Sequence, residues 1–264
     1  MLMKYILLFF LFLSNLFAID AFIPPSKLNA MLQNNEKVVL LDVSSRSSYD
    51  TSHIYGALHA DIEKFINKTK FSSRYEQNLQ AQLNKLGIND DSKVVLYARN
   101  SIDDIQNTTL LAFILSSYGV KNISILDGGY MSWIFEDFHV ASQPTKIKTK
   151  GNFVLKKDDS FTINAIEDQD SSSVFIAIQN EPETNSTQTQ NMILLNPSFY
   201  EKVFYKDFTL REDVQIKEAL GISFDLDSFE NIVIKDDSIA RASFVWYLLH
   251  KKFSLSKVKI VKKD

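Results

Sequence analysis

The 264-residue sequence predicts an α/β protein made of two copies of one unit. Each copy is read as a three-layer α/β/α domain with a mostly parallel central sheet, the second copy being degenerate. Three observations lead there. Short apolar runs of strand length (KVVLLDV, VVLY, NISIL) alternate with helical stretches, the rhythm of a parallel sheet covered by helices. The same order of patterns returns in the second half. With 45% hydrophobic residues, the chain has material for one large core or two ordinary ones, and at this length two is the better reading.

Before the first unit, MLMKYILLFFLFLSNLFA has one positive residue, Lys4, an apolar stretch over residues 5–13, and Ser14, Asn15 and Ala18. That order predicts a signal peptide over residues 1–18, cleaved after Ala18, and an exported, periplasmic chain. The alternative is an uncleaved anchor, although the apolar stretch is shorter than the ~20 residues a membrane span needs. No stable span is expected once the segment is removed.

The first domain is expected over residues 22–140. Pro25 and Ser26 open a helix, SKLNAMLQN, with Ser26 in the capping position. KVVLLDV is a continuous apolar run and so a strand buried on both faces. YEQNLQAQLNKLGI places Leu79, Leu83 and Leu86 on one helical face and stops at Gly87. VVLY is the next buried strand, TTLLAFILSSYG a helix closed by Gly119, and NISIL a strand running into a turn at Gly128 and Gly129. Residues 141–151, ASQPTKIKTKG, have no periodicity and read as the linker. The polar stretch from Asn180 to Asn191 reads as an exposed loop in the second domain, residues 152–264.

The second domain repeats the first in order. NMILLNPS parallels KVVLLDVS, VQIKEALGI parallels LQAQLNKLGI, ENIVIKDDS parallels KVVLYARNS, ARASFVWYLLHKKFS parallels the TTLLAFILSSYG helix, and KVKIV parallels NISIL. The stop residues Gly87 and Gly119 recur as Gly221 and Ser254 at a nearly constant offset. Five elements in matching order make coincidence the weaker explanation.

Charge and composition exclude several functions. A net charge of −3 from 29 basic and 32 acidic residues, spread along the chain, provides no field for nucleic acid. There is no cysteine, so no disulfide, thiolate metal site, nucleophilic thiol or persulfide can form. The four histidines show no paired spacing, so neither a metal nor a cofactor is expected.

The motifs carry a resemblance. VVLLDVSSRSSYDTSHIYGALHADI resembles the amino-terminal signature of the rhodanese family of sulfurtransferases, with Asp42, Tyr49, His53, Ile54, Gly56 and Ala57 matching. SILDGGYMSW is similar to the family's late strand followed by Leu-x-Gly-Gly and a Trp, matched by Leu126, Asp127, Gly128, Gly129 and Trp133. The resemblance implies a tandem rhodanese-like protein. It also implies a catalytic cysteine directly after the second buried strand, in an anion-cradling loop that accepts sulfur from a donor such as thiosulfate.

At that position the first copy has Ala98, and the second has Asp236 or, with the strand shifted by one, Lys235. The loop after Ala98 reads as longer and poorer in glycine than such a cradle, and Asp103 and Asp104 would repel an anion. Ser44 stands where an arginine is implied, with Arg46 as a nearby substitute. A vestigial pocket would comprise Asp42, Arg46, His53, Arg99, Asn100 and Ser101. Asp42 and His53 are expected to hydrogen-bond as a structural pair. A triad of Asp42, His53 and Ser101 has nothing in its spacing to support it, and there is no G-x-S-x-G turn. Trp133 and the aromatics of SFVWYLL are expected in the core.

The expectation is a protein inactive in persulfide formation with a binding or structural role in sulfur or redox handling, its partner another protein or a small anion. The alternative is a sulfurtransferase-type enzyme working with a partner's thiol, or an anion-binding or hydrolytic activity at the Ala98 loop.

Overall fold

The computed structural model describes residues 19–66, 73–147, 149–164, 170–179 and 191–262. The expected signal peptide and most of the polar stretch 180–191 lie outside these. Among the described residues no helix is long and apolar enough to cross a membrane.

The first half begins with β1 (Phe22–Ile23) and α1 (Pro25–Gln33). Pro24 occupies the cap of α1 with no side-chain hydrogen bond, and Pro25 follows at the first helical position. The expected Ser26 cap is therefore replaced by proline entry, which suits a position whose N–H has no intrahelical partner anyway. There follow β2 (Val38–Asp42), α2 (Arg46–Thr51), β3 (His53–Ile54) and β4 (Leu58–His59). Next come α3 (Ser73–Lys85), β5 (Lys93–Tyr97), α4 (Ile102–Ser117), β6 (Asn122–Leu126), α5 (Gly129–Phe135) and β7 (Val140–Ala141). The sheet runs β1-β6-β5-β2-β4 with every pairing parallel, and β3 and β7 form a separate antiparallel ribbon. Parallel strands need helical crossovers, and these put helices on both faces.

In the second half β8 (Thr162–Ile163), β9 (Ser173–Ile178) and β10 (Met192–Leu195) precede α6 (Tyr200–Val203) and α7 (Asp213–Ala219). Then come β11 (Asn231–Lys235), α8 (Ile239–Trp246), a π-helical continuation over Tyr247–Lys252, and β12 (Val258–Val261). The order is β10-β9-β11-β12-β8, again all parallel.

Laid strand for strand, the two orders agree and correct one sequence reading. The counterpart of β2 is β9, SVFIAI, while NMILL occupies the place of β4 at the sheet edge. Local apolar pattern identifies a strand but not its neighbour, so the two runs were interchangeable until pairing was seen. The rest of the repeat holds. Gly87 and Gly221 both end helices at positive φ (77° and 64°), and Ser254 adopts φ 60° where Gly119 has φ 94°.

Register fixes the two strand ends. Asp42 lies opposite Tyr97, and Ala177 lies opposite Lys235. Ala98 and Asp236, one residue beyond, therefore take equivalent places, and Lys235 is still in the strand.

The halves share one core. A single apolar cluster runs from Leu79, Leu83, Val94 and Leu96 through Leu111 and Phe113 of α4 to Phe244, Trp246 and the interior of the second sheet. Phe113 meets Trp246 edge-on at 5.0 Å, a pairing worth about 1 kcal/mol beyond the area it buries. A second cluster, with Leu28, Met31, Leu40, Val95, Tyr97 and Trp133, covers the other face of the first sheet. Trp133 and the SFVWYLL aromatics are buried, as expected. Residues 151–158 run along the first half, with Gly151, Phe153, Lys156 and Asp158 donating to the carbonyls of Asn84, Ile88, Tyr118 and Ser117.

Candidate functional site

The Ala98 loop is short. β5 ends at Tyr97, and α4 begins at Ile102, a turn and a half ahead of the expected start at Thr108. Ser101 is its cap: its hydroxyl oxygen accepts from the Asp104 amide at 3.1 Å and its O–H donates to the Asp104 carboxylate at 2.8 Å. Asp103 and Asp104 sit in the first turn, where acidic side chains suit the helix dipole. The expectation of a long loop is thus corrected. Most of the supposed loop is helix, and the Ser-x-x-Asp spacing at 101–104 was its signal.

What remains, residues 98–101, is filled. The Ala98 carbonyl accepts from the Tyr130 amide at 3.0 Å, so the amino end of α5 closes over it. Gly128 and Gly129 make that approach possible. Both have positive φ, and a Cβ on Gly129 would lie 2.9 Å from the Ala98 oxygen. Asn100 donates to the carbonyls of Gly128 (2.7 Å) and Asp207 (3.2 Å) and accepts from Met131 (3.1 Å). The cavity left beside Ala98, Asn100 and Gly128 is about 30 Å³, closed on its far side by Phe204 and Phe208 of the second half. That is room for about one water molecule.

Arg99 also lines this space, but its charged group is engaged elsewhere. Its guanidinium donates to the Ser48 carbonyl at 2.7 Å and to the Ser52 carbonyl, and lies 3.7 Å over the Tyr130 ring. The charge sits on the carbonyls at the end of α2, as a cation should at a helix carboxyl terminus. The expected anion-facing arginine is a strut between α2 and α5. Arg46, expected to stand in for the arginine implied at Ser44, lies exposed and pairs with Asp50 at 2.8 Å, which raises its own pKa and lowers that of Asp50.

Asp42 and His53 are both fully buried but do not pair with each other. Asp42 accepts from the Ser44 amide at 2.9 Å and from the Ser44 hydroxyl, forming a local turn around its own carboxylate. His53 donates from Nδ1 to the Tyr49 carbonyl at 2.8 Å and stacks on the Tyr49 ring with centroids 3.9 Å apart. The other Asp42 oxygen and His53 Nε2 are buried without a geometric hydrogen bond among the described residues. The expected mutual bond is not formed: Asp42 is held through Ser44 and His53 through Tyr49. Tyr97 completes the cluster: its hydroxyl accepts from the Ile54 amide at 2.9 Å, and burial, with the Asp42 charge second, pushes the phenol above its ordinary range. No nucleophile with an adjacent base results, and Ser101 is committed to its cap.

The second strand end is closed by charge. Arg241, one turn into α8, grips Asp236 with Nε and Nη2 at 2.9 and 2.7 Å, and the Ser238 amide adds a bond of 2.7 Å to the same carboxylate. The Asp236 side chain has no exposed area. Sequence reasoning placed Asp236 here and missed Arg241, although Asp-x-x-x-x-Arg across a strand-to-helix turn is the signal that finds it. No cluster of three or more potential metal ligands occurs among the described residues.

Residues 24–136 match the family described as a rhodanese-like domain. The first half of this chain is thus similar to a rhodanese-like domain. Over 109 residues it is 32% identical to the thiosulfate sulfurtransferase YnjE of Escherichia coli, covering 41% of this chain and 24% of that protein. Over 108 residues it is 28% identical to the thiosulfate sulfurtransferase of Rattus norvegicus, covering 39% and 35%. The chain thus spans about a quarter to a third of the length of these curated relatives. The rhodanese fold extends further than the recognisable sequence. The crystal structure of YnjE matches 92% of this chain and 64% of its own at a TM-score of 0.72 and 18% identity, and wild-type EanB matches 92% and 65% at 0.68 and 18%. Against that fold, the two halves of this chain present Ala98 and Asp236 at their strand ends, and the chain has no cysteine.

Proposed function

We propose that this chain is an exported tandem rhodanese-like protein that forms no persulfide and acts by binding, in sulfur or redox handling in the periplasm. One observation carries the reading: both strand ends of the pair of sheets are occupied, one by the Tyr130 amide on Ala98 and the other by the Arg241–Asp236 ion pair. Sulfur transfer of the family type needs a polarisable thiolate in an open, positive cradle; neither end provides the sulfur atom, the Ala98 end has room for about one water, and the space beside Asp236 is lined by carboxylates. The anion-binding and hydrolytic alternatives at the Ala98 loop have nothing in the geometry to favour them. There is a cavity the size of one water, and the Arg99 guanidinium is spent on the Ser48 and Ser52 carbonyls.

The test is purified protein with thiosulfate and cyanide. The expected result is thiocyanate at the background rate, and a protein-dependent rate overturns the reading. Export is tested separately by sequencing the amino terminus of the protein recovered from the periplasm. A terminus at Ile19 supports cleavage after Ala18, and a terminus at Met1 refutes it.

A further inference from the structure

A larger cavity lies elsewhere, over the second sheet's strand ends. It encloses about 410 Å³ between α4 of the first half and the carboxyl ends of β11, β12 and the Asp236 loop. Its volume is that of a small-molecule site. It stands where ligands of open parallel sheets collect, outside the strand ends.

The lining has two characters. One wall is apolar, from Leu110, Phe113 and Ile114 of α4 with Ile239 and Ile260 opposite. Around the apolar wall stand Asp158, Asp159 and Asp237 with Lys157 and Lys262, and Asp236, whose own side chain is buried against Arg241. Both lysines lie on one carboxylate, Asp159, at 3.2 and 3.9 Å. Even with Arg241 counted against Asp236, negative groups outnumber positive ones. Asp158 has no Lys or Arg within salt-bridge distance among the described residues; its side chain accepts from the Ser160 amide at 2.9 Å.

A second, independent feature marks the same space. Tyr118 lines the cavity, is 5% exposed, and its hydroxyl has no hydrogen-bond partner among the described residues; the Ser117 hydroxyl beside it is likewise unsatisfied. A buried hydroxyl without a partner costs about 1–3 kcal/mol; both oxygens lie behind the cavity wall, and a ligand atom recovers that cost where the side chain turns toward it. Burial, reinforced by the charges of Glu76 and Asp159, pushes the Tyr118 phenol up to about 12, so it stays neutral and able to donate or accept.

We propose that this cavity binds a small organic amine, its apolar body against Leu110, Phe113 and Ile114 and its ammonium group beside Asp158. This reverses the charge preference of a thiosulfate site and does not depend on the loss of sulfur transfer. A thiocyanate-forming rate would overturn the earlier reading and leave this one to be decided by binding.

The experiment is titration of the full-length chain with benzylamine, benzyl alcohol and benzoate, followed by amide NMR shifts and by calorimetry. Benzylamine should shift the Ser117, Tyr118 and Asp158 amides and saturate. Benzyl alcohol should bind more weakly, and benzoate should not bind. Asp158→Asn keeps the acceptor for Ser160 and removes the charge. It should weaken benzylamine roughly tenfold, the scale of a lost charge-assisted hydrogen bond, and leave benzyl alcohol unchanged. Ile114→Trp should fill the space and abolish both. Benzoate binding as tightly as benzylamine, shifts confined to other regions, no saturable shift from benzylamine at millimolar concentration, or Asp158→Asn without effect would each overturn the proposal.

Discussion

The two strand-end loops start from the same place in the same fold and are shut by different means. After β5, neutral groups do the work, with the Ala98 carbonyl on the Tyr130 amide and Asn100 spanning Gly128, Met131 and Asp207. After β11, a buried carboxylate and a guanidinium neutralise each other. The difference teaches that a vacated site is not passive space. Buried backbone groups and charges at a strand end must be satisfied, and each half has found its own partners.

The largest way to break the comparison is Arg241→Leu. It leaves Asp236 buried and unpaired, and because Arg241 itself is about a quarter exposed the expected loss is near the lower end for a broken buried pair, about 3 kcal/mol, read from chemical denaturation. The neutral closure should cost less to disturb. Asn100→Ala removes three bonds, one of them across the halves, and is expected to destabilise by about 2 kcal/mol. If it costs more than Arg241→Leu, the assignment of charge to one closure and neutral bonds to the other as the main difference in strength is wrong.

Acidity separates the halves further. His250, in the π-helical turn after α8, has its pKa held below 6.5, first by burial. It is stacked on Trp246 and edge-on to Phe161, faces Asp158 and Lys251, and donates to the Leu255 carbonyl. A depressed value means the unfolded chain takes up the proton first. The stability His250 confers is full above pH 6.5 and is lost as pH falls through its lower folded value. His250→Phe should flatten that slope in melts taken between pH 7 and pH 5. The smallest expected effect is Ala98→Cys. Its thiocyanate rate should stay at background, because the Tyr130 amide is spent on the carbonyl of residue 98, the Arg99 guanidinium on α2, and the space beside the loop holds about one water.

How far the sequence could be read differs between the same two regions. In the first half, the strands KVVLLDV, VVLY and NISIL and the Gly87 and Gly119 stops all form where their patterns put them, because period, length and glycine act locally. In the second half, β9 was passed over in favour of β10, since which strand lies centrally is decided by pairing partners far along the chain. The site shows the same division. Ala98 and Asp236 were legible as positions in a motif. Arg99, Arg46 and Asp42 were legible as residue types, but their partners were not: where a guanidinium points is set by Ser48, Ser52 and Tyr130, which the fold gathers from separate segments.

The shared core has one more consequence, for the order in which the molecule assembles. Tyr247, fully buried, donates its hydroxyl to the Ala21 carbonyl at 2.6 Å, and its ring meets Phe22 edge-on at 5.3 Å. The strand that begins the first sheet is therefore sealed by a residue 226 positions further on. The backbone of that strand pairs with β6 within the first half, where the Ala21 carbonyl also accepts from the Ile125 amide, so the first sheet can close by itself. What waits for residue 247 is the apolar cover over Phe22 and the second bond to Ala21, and in a chain emerging amino end first that face stays open until almost all of the second half has appeared.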